Sequence, residues 1–240
     1  MPDDVSAKKK SEIAHQKGLR VSASQQIYAA LRQQIIDLTL PPGTQLSKKE
    51  IALTFGVSQT PVREALMLLE EEGLVDIFPQ SRTEVAYIDV QSAREAHFLR
   101  CSVEMEIARS LCGKITETQL IDLRSIVQHQ SAHLKVNDLA AFAEADSKFH
   151  RGMYEMANVG GLWDIINARR AHLDRLRHLH LPIKDKACAI IKDHTAIINA
   201  IASGSPEAAE FAVREHIKGT VSATEDIRAH FPEHFSSPIQ

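Results

Sequence analysis

The fold of the N-terminal part of this chain is decided by two neighbouring stretches, Leu46-Ser47-Lys48-Lys49-Glu50-Ile51-Ala52-Leu53 and Gly56-Val57-Ser58-Gln59-Thr60-Pro61-Val62-Arg63-Glu64-Ala65-Leu66. The first begins as a short helix, because Ser47 with Glu50 three residues later fits a capping box. Gly56 supplies a tight turn, and Ser58 is placed to cap a second helix whose first turn is polar. Two short helices joined by a Gly-containing turn predict a helix-turn-helix.

A helix-turn-helix presents the N-terminal end of its second helix to the major groove of DNA. Arginine can hold guanine by two hydrogen bonds, glutamine can hold adenine in the same way, and hydroxyls hold phosphates or base edges. The sequence puts these residue types at that end. We therefore predict contacts to bases and phosphates from Lys49, Ser58, Gln59, Thr60 and Arg63.

The composition is that of a globular, mainly helical protein. Apolar residues make up 44% and charged residues 25% of the 240 residues, while aromatic residues are only 5%, and these are ordinary proportions for a soluble domain. No apolar run approaches the roughly 18 residues of a membrane span, and the N-terminus lacks the apolar core of a signal peptide. The three cysteines are odd in number and lie in helical patterns, where we expect small buried residues. A reduced, cytoplasmic protein without a membrane partner is the expectation.

The net charge does not by itself indicate DNA binding. It is −3 for the whole chain, and residues 21–88 hold five Lys or Arg against eight Asp or Glu. The acids cluster at Glu70-Glu71-Glu72 and Asp76, away from the predicted reading edge. Affinity for DNA would therefore come from a local basic surface and from dimerisation.

Residues 21–88 read as a winged helix-turn-helix domain. A helix over 22–38 precedes the two stretches, and strands over 74–78 and 83–88 form a small hairpin after them. The hairpin turn, Pro79-Gln80-Ser81-Arg82, adds Arg82 as a further candidate DNA contact. Residues 1–20 read as a flexible polar arm, with a phosphate contact from Lys8-Lys9-Lys10 as the alternative.

The remainder predicts an all-α domain over residues 89–229, followed by a loose tail over 230–240. Helical periodicity falls into six segments, 89–112, 116–134, 138–157, 161–180, 184–203 and 206–229. Thr116 with Gln119 fits a capping box, Asn137 is a candidate N-cap, and Ser205-Pro206 fits an N-cap followed by proline. The fold class is mainly α, with a C-terminal bundle of six or seven helices.

Four polar side chains interrupt the apolar stripes of that bundle. They are Asp146 with His150 one turn later, His194 among isoleucines, and His216 in the last predicted helix. Burying such groups costs free energy unless they pair or bind something. A divalent metal meets that need, and we predict one ion per subunit, with zinc expected and nickel or manganese as alternatives.

Simpler interpretations of these stripes stay open. Each histidine alone could be a core residue satisfied by a hydrogen bond, and His129 with His133, in a polar stretch, are read as surface residues. Arg100 also lies on an inward stripe. It could simply pair with Glu104, or it could clamp the carboxylate of a ligand by two parallel hydrogen bonds.

These residues together resemble the GntR family of bacterial transcription regulators, in the metal-binding branch of the subfamily with the FadR-type helical C-terminal domain (FCD). The N-terminal pattern of the family stands here as Pro42-Gly43-Thr44-Gln45-Leu46-Ser47, Ile51-Ala52, Gly56 to Leu66, and Leu69 through Glu72-Gly73-Leu74-Val75. In the C-terminal part, Asp146, His150, His194 and His216 match the family's metal ligands. Arg100 matches the position that often binds an effector carboxylate.

The resemblance implies a homodimeric repressor of pseudo-palindromic operator DNA that is controlled by a small organic acid. The kind of acid stays open among sugar acids, hydroxy acids, dicarboxylates and aromatic acids. Gln59 replaces the family's usual arginine, the wing turn lacks the usual glycine, and Asp193 replaces a common glutamate. The first two departures bear on which operator is bound.

Two rival functions are also compatible with this set of residues. Three histidines and an aspartate around a metal can activate water in an enzyme, but no spare carboxylate or histidine lies beside the set in the sequence to act as a general base. A regulator that responds to metal alone, without an organic effector, is the second rival. We predict a regulator and not an enzyme.

Overall fold

The computed structural model describes residues 22–183 and 185–236, so the predicted arm over residues 1–20 lies outside the described residues. The N-terminal elements are α1 (Ala23–Ile36), α2 (Lys48–Phe55), α3 (Gln59–Glu71), β1 (Val75–Ile77) and β2 (Thr83–Val85). They follow the order of a winged helix-turn-helix.

Local capping determines where the helices of this part begin and end. Ser22 forms a capping box with Gln25 before α1, and the Ser47 hydroxyl accepts a hydrogen bond from the Glu50 amide at the start of α2. Gly56 ends α2 at φ 64°, a left-handed conformation that costs glycine nothing. The α1 and α3 helices then bury an apolar face, formed by Ile27, Leu31, Ile35, Val62, Ala65, Leu66 and Leu69.

The strands of the wing are shorter than the predicted 74–78 and 83–88, but a third segment pairs with them. Strands β1 and β2 pair antiparallel with Val75 opposite Val85. The segment before α2 joins them, because the Leu46 amide donates to the Thr83 carbonyl at 2.8 Å. At the tip, Gln80 takes φ 57°, a left-handed conformation that is uncommon for residues other than glycine.

The C-terminal part is entirely helical in the described residues. Its elements are α4 (Val90–Leu111), α5 (Glu117–Lys135), α6 (Leu139–Met156), α7 (Gly161–Asn167), α8 (Ala171–His180), α9 (Lys186–Ala202), α10 (Pro206–Ser222), α11 (Thr224–His230) and a 3₁₀ turn (Pro232–His234). Helix α4 packs along α10, α5 along α6, and α9 against both α5 and α10. Their shared core contains Ile107, Phe149, Met153, Ile197 and Val213.

Two of the six predicted helices are each divided in the structure. The predicted 161–180 helix breaks between α7 and α8, where the buried Arg170 pairs with Asp174 at 3.0 Å and stacks on Trp163 at 4.7 Å. The predicted 206–229 helix breaks at Ala223, at φ −93° and ψ 8°. Neither break contains Gly or Pro. The breaks therefore coincide with tertiary contacts and not with a local sequence signal.

Three smaller predictions were wrong. The described part of the tail is packed, because Phe235 is buried and the Ile88 amide donates to the His234 carbonyl at 3.0 Å. The N-cap of α6 is Asp138, whose side chain accepts from the Ala141 amide. Cys188 is exposed, while the other two cysteines are only partly buried.

Within the described ranges, the helices are too short or too polar to cross a membrane.

Candidate functional site

The predicted DNA-reading residues lie together at one exposed edge of the winged helix. Ser58, Gln59 and Thr60 form the start of α3, Arg63 follows one turn later, and all four are exposed. Ser58 occupies the N-cap position without a hydrogen bond from its side chain to the helix. Its hydroxyl therefore remains available to an outside partner.

The charged members of the predicted DNA surface differ in how they are held. In the described part of the chain, no carboxylate lies within 4.0 Å of Lys49 or Arg63. Arg82, in contrast, pairs with Glu84 at 2.6 Å and stacks over the Phe78 ring at 4.2 Å. A phosphate contact from Arg82 would compete with that internal pair. The DNA contacts of all these residues stay predictions.

The four predicted metal ligands form one buried cluster. Asp146 and His150 come from α6, His194 from α9 and His216 from α10, and one ligand atom from each lies within 4.8 Å of all the others. His216 Nε2 is 3.2 Å from the Nε2 atoms of both His150 and His194. Asp146 Oδ1 is 3.6 Å from His194 Nε2. The side chains thus point to a common centre through three ring nitrogens and one oxygen.

The outward nitrogens of two of these histidines face acceptors. His150 Nδ1 lies 2.8 Å from the Glu104 carboxylate, and His194 Nδ1 lies 2.9 Å from the Gln130 side-chain oxygen. An acceptor at Nδ1 keeps the ring proton there, and this leaves Nε2 with its lone pair toward the centre. That is the tautomer of a histidine that binds a metal through Nε2.

The other two members of the cluster have outer partners as well. His216 Nδ1 lies 3.5 Å from the Asp193 carboxylate, and Asp146 accepts a hydrogen bond from Arg177 through Oδ2. Asp146 Oδ1 is left buried without a hydrogen-bond partner. Asp146 and His194 are therefore held by hydrogen bonds on their outer sides, whereas His150 and His216 face carboxylates there, and each of the four turns one ligand atom inward.

The protonation states also suit a metal. Burial lowers the pKa of His150 to about 4, although Glu104 opposes the shift. Burial and the neighbouring His216 hold the pKa of His194 well below its ordinary value. Burial alone would raise the pKa of Asp146, but Arg177 and the nearby histidines hold it well below the usual range. At neutral pH, His150 and His194 are thus neutral imidazoles and Asp146 is an ionised carboxylate, the forms that metal ligation requires.

Three inward ring nitrogens and, among the described residues, an unpartnered buried carboxylate oxygen make the cluster fit a divalent cation. Three nitrogens and one oxygen are donors that zinc, nickel and several other metals accept. The sequence indicated no spare carboxylate beside the four predicted ligands, but Glu104 is a buried carboxylate next to them. It faces the far side of His150 and pairs with Arg100 at 2.7 Å, so it is not placed as a base at the centre.

A small cavity adjoins the cluster. Its volume is about 20 Å³, and its lining is formed by Arg100, Leu173, Arg177, Lys186, Ile190, His216, Ile217 and Thr220. Arg100 does form the internal pair with Glu104, through Nε. Its Nη2 is nevertheless buried without a partner. Both interpretations of Arg100 thus have structural support: one edge is paired internally, and one nitrogen is left for a ligand.

Helix α8 connects this region to the winged helix. Arg175 donates to the Ala86 carbonyl at 2.8 Å, just after β2. The His172 ring accepts a hydrogen bond from the Asp89 amide at 3.1 Å. On the other side of the same helix, Arg177 reaches Asp146. One ten-residue helix therefore contacts both the candidate metal cluster and the DNA-binding part.

The sequence did not identify Gln130, His172 or Arg175 as parts of the site, and it did not distinguish Arg177 from a surface charge. Gln130 continues the buried stripe of Leu120, Leu123 and Val127 on α5, and this polar interruption was a usable signal. The Arg- and His-rich sequence of α8 reads as a surface. Only the structure reveals that His172 and Arg175 are buried.

A winged helix-turn-helix joined to an all-helical domain defines a DNA-binding transcription regulator. Comparison with known protein families identifies its kind. Residues 23–85 match the profile of bacterial regulatory proteins of the gntR family, and residues 95–219 match the FCD domain. The chain belongs to the GntR family, in the subfamily with an FCD domain, and it is a transcriptional regulator and not an enzyme.

Individual relatives agree with the family. A Streptomyces ambofaciens protein described as an uncharacterized HTH-type transcriptional regulator is 36% identical over 211 residues, or 88% of this chain and 89% of the relative. The Escherichia coli transcriptional repressor RspR is 32% identical over 213 residues, covering 89% and 93% of the two chains. The solved structure of E. coli McbR/YncC shares the fold, with a TM-score of 0.72, 20% identity, and 86% and 98% coverage.

Proposed function

We propose that this regulator is a homodimeric, cytoplasmic repressor whose binding to a pseudo-palindromic operator is controlled by a small carboxylate at a metal site in the C-terminal domain. Repression is supported by the name of the RspR relative. Lys49, Ser58, Gln59, Thr60, Arg63 and Arg82 would contact the operator, and Arg100 the effector.

Asp146, His150, His194 and His216 would hold one divalent ion per subunit, with zinc expected. When bound, the ion supplies positive charge and coordination positions that the four side chains leave open, both of which attract a carboxylate. Arg100 adds a buried guanidinium whose Nη2 has no hydrogen-bond partner among the described residues. The residues of the cavity wall thereby favour an anion.

The single observation that carries the proposal is the double contact of α8. Its Arg177 and Leu173 line the cavity, and Arg177 also contacts Asp146. Its His172 and Arg175 form hydrogen bonds with the backbone of Asp89 and Ala86, in the short segment that joins β2 to α4. A ligand that changes the position of α8 therefore changes how the winged helix is held.

Control of DNA binding then follows from population shift. In a dimer, two arrangements of the winged helices differ in the spacing of their reading edges. A ligand shifts the balance only by the difference in its affinity for the two arrangements. Contacts at α8 are a physical basis for that difference, because they couple the cavity wall to the wing.

The test uses an operator selected from random DNA with the purified full-length protein. Zinc-loaded wild type should show a change of at least about tenfold in operator affinity with one acid of a carboxylate panel, or about 1.4 kcal/mol. Arg175→Met should still bind that acid but lose the change, because the link to Ala86 is removed. Met suits this buried site, since Arg175 leaves two nitrogens unpartnered there.

A matched control is His178→Gln, which alters an exposed residue of the same helix. This variant should behave as wild type. Operator affinity that is independent of every acid, with and without a chelator, would refute the proposed control.

One observation favours a second candidate function, a regulator that responds to metal alone. The cavity of about 20 Å³ has room for about one water molecule, so an organic effector needs the cavity to expand. A change in operator affinity with zinc, and no further change with any acid, would support this alternative.

A further inference from the structure

Lys186 is a half-buried lysine that lines the same cavity as Arg100 and Arg177. Its ammonium lies against α10 so closely that a Cβ atom added at Gly219 would be 2.8 Å from Nζ. A glycine inside a helix costs about 1 kcal/mol relative to alanine. Here the missing side chain leaves the space that the lysine head group occupies.

The three cations of the cavity differ in their ion pairs. Arg100 has Glu104 at 2.7 Å, and Arg177 has Asp146 together with Asp174. For Lys186, the described residues provide no carboxylate within 4.0 Å of Nζ. Lys186 is thus a lining cation that is free to bind an outside anion.

The surroundings of Lys186 make such an anion favourable. Burial, followed by the charge of Arg177, lowers the pKa of Lys186. A cation that the protein destabilises in this way gains free energy when an anion binds beside it. The buried and unpartnered Nη2 of Arg100 is a second donor for an anion in the same cavity.

We infer that the effector is a short dicarboxylate, with one carboxylate held by Arg100 beside the metal cluster and the other by Lys186. The inference rests on the proposed function and specifies the class of acid. A monocarboxylate would satisfy Arg100 and leave Lys186 unpaired. Because the cavity of about 20 Å³ must expand to admit any acid, short acids require the least expansion.

The experiment compares matched acids by calorimetry on the zinc-loaded full-length protein. The pairs are succinate with butyrate, glutarate with pentanoate, and malate with 3-hydroxybutyrate. Wild type should bind at least one diacid about tenfold or more tightly than its monoacid partner. Lys186→Met should reduce the affinity for that diacid to the level of the monoacid, and should leave the monoacid unchanged.

Two further variants separate charge from position. Lys192→Met removes an exposed lysine of the same helix and should bind all acids as wild type does. Gly219→Ala keeps the charge of Lys186 but displaces its ammonium, and should weaken the diacid selectively. This variant favours helix formation, so it guards against loss of folding as an explanation.

The outcomes are distinct for the two proposals. Monoacids that bind wild type as tightly as diacids, or equal losses for both acids in Lys186→Met, would overturn the dicarboxylate inference and leave the carboxylate effector standing. If none of these acids binds wild type, the dicarboxylate inference fails; the proposed effector control fails as well when no acid of the broader carboxylate panel changes operator affinity.

Discussion

Replacing Gln130 by leucine tests whether the buried cluster is built for a metal. Gln130 is completely buried on α5, and its side-chain oxygen lies 2.9 Å from His194 Nδ1. Its amide nitrogen is buried without a hydrogen-bond partner. Leucine has a similar volume, so Gln130→Leu removes the acceptor that orients His194 and leaves no large cavity.

The expected losses differ between the metal-bound and metal-free protein. Removal of an outer partner of a metal-binding histidine costs about 10- to 100-fold in metal affinity, or about 1.4–2.7 kcal/mol. In the metal-free protein, His194 Nδ1 is left buried without its acceptor, at a cost of about 1–3 kcal/mol. That loss is offset because the variant no longer buries an unsatisfied amide nitrogen, which itself costs about 1–3 kcal/mol.

The assay has two parts. Zinc affinity is measured by competition with a chromophoric chelator, and thermal unfolding is recorded with zinc and with excess chelator. Gln130→Leu should bind zinc about 10- to 100-fold more weakly, with nearly unchanged unfolding of the metal-free protein. Gln128→Leu, at an exposed position of the same helix, is the matched control and should retain wild-type affinity.

Two results would refute this reasoning. A wild-type dissociation constant for zinc in Gln130→Leu would mean that His194 does not need its outer acceptor. Equal destabilisation with and without zinc would mean that Gln130 serves folding and not metal binding. Absence of zinc binding by wild type would exclude the proposed metal itself.

Three further predictions concern the winged helix and its junction with α8. Burial lowers the pKa of His172 to about 4, whereas an unfolded histidine titrates near 6.5. The unfolded chain thus binds more protons, so the free energy of unfolding should fall by roughly 2–4 kcal/mol from about pH 6.5 to pH 4. Urea titrations of His172→Gln should show a smaller fall over this pH range than those of wild type. An equal fall would contradict the assignment. Gly73→Ala forces φ 71° on a residue whose Cβ would lie 3.1 Å from the His172 ring. The substitution should therefore lower the free energy of unfolding by about 1–3 kcal/mol. Unfolding at the same urea concentration as wild type would argue against this strain. Arg63→Ala should weaken operator binding by about 1–3 kcal/mol per half-site in a fluorescence titration, and unchanged affinity would remove Arg63 from the reading set.

The winged helix could be predicted because its signals are local. Ser47, Gly56 and Gly73 mark helix ends through hydrogen bonds and positive φ values that do not depend on distant residues. The added strand pairing at Leu46 could not be predicted, since it depends on where the chain returns after β1. The breaks after α7 and α10 were missed for the same reason, because residues such as Arg170 act through tertiary contacts.

The candidate site was predictable to the extent that polar residues interrupt apolar stripes. Asp146, His150, His194 and His216 stand out because each has apolar neighbours at helical spacing. Gln130 does as well, but the polar residues beside it, His129 among them, suggested a surface. Residues that hold the predicted ligands from behind are harder to predict than the ligands themselves. They contact the site from its far side, and no regular sequence spacing connects them to it.

Helix α8 shows why cationic sequence is a poor guide to exposure. Its Leu173, Leu176 and Leu179 join an apolar cluster that includes Ile88, next to the junction with the winged helix. Burying arginines and histidines beside them costs free energy unless each group gains a specific partner. Here Arg175 gains a backbone partner at the end of the DNA-binding part and His172 gains one at the start of α4, while Arg177 gains Asp146. Because apolar residues would stabilise the same packing without such contacts, the polar composition of α8 fits the link that we propose between the cavity and the winged helix.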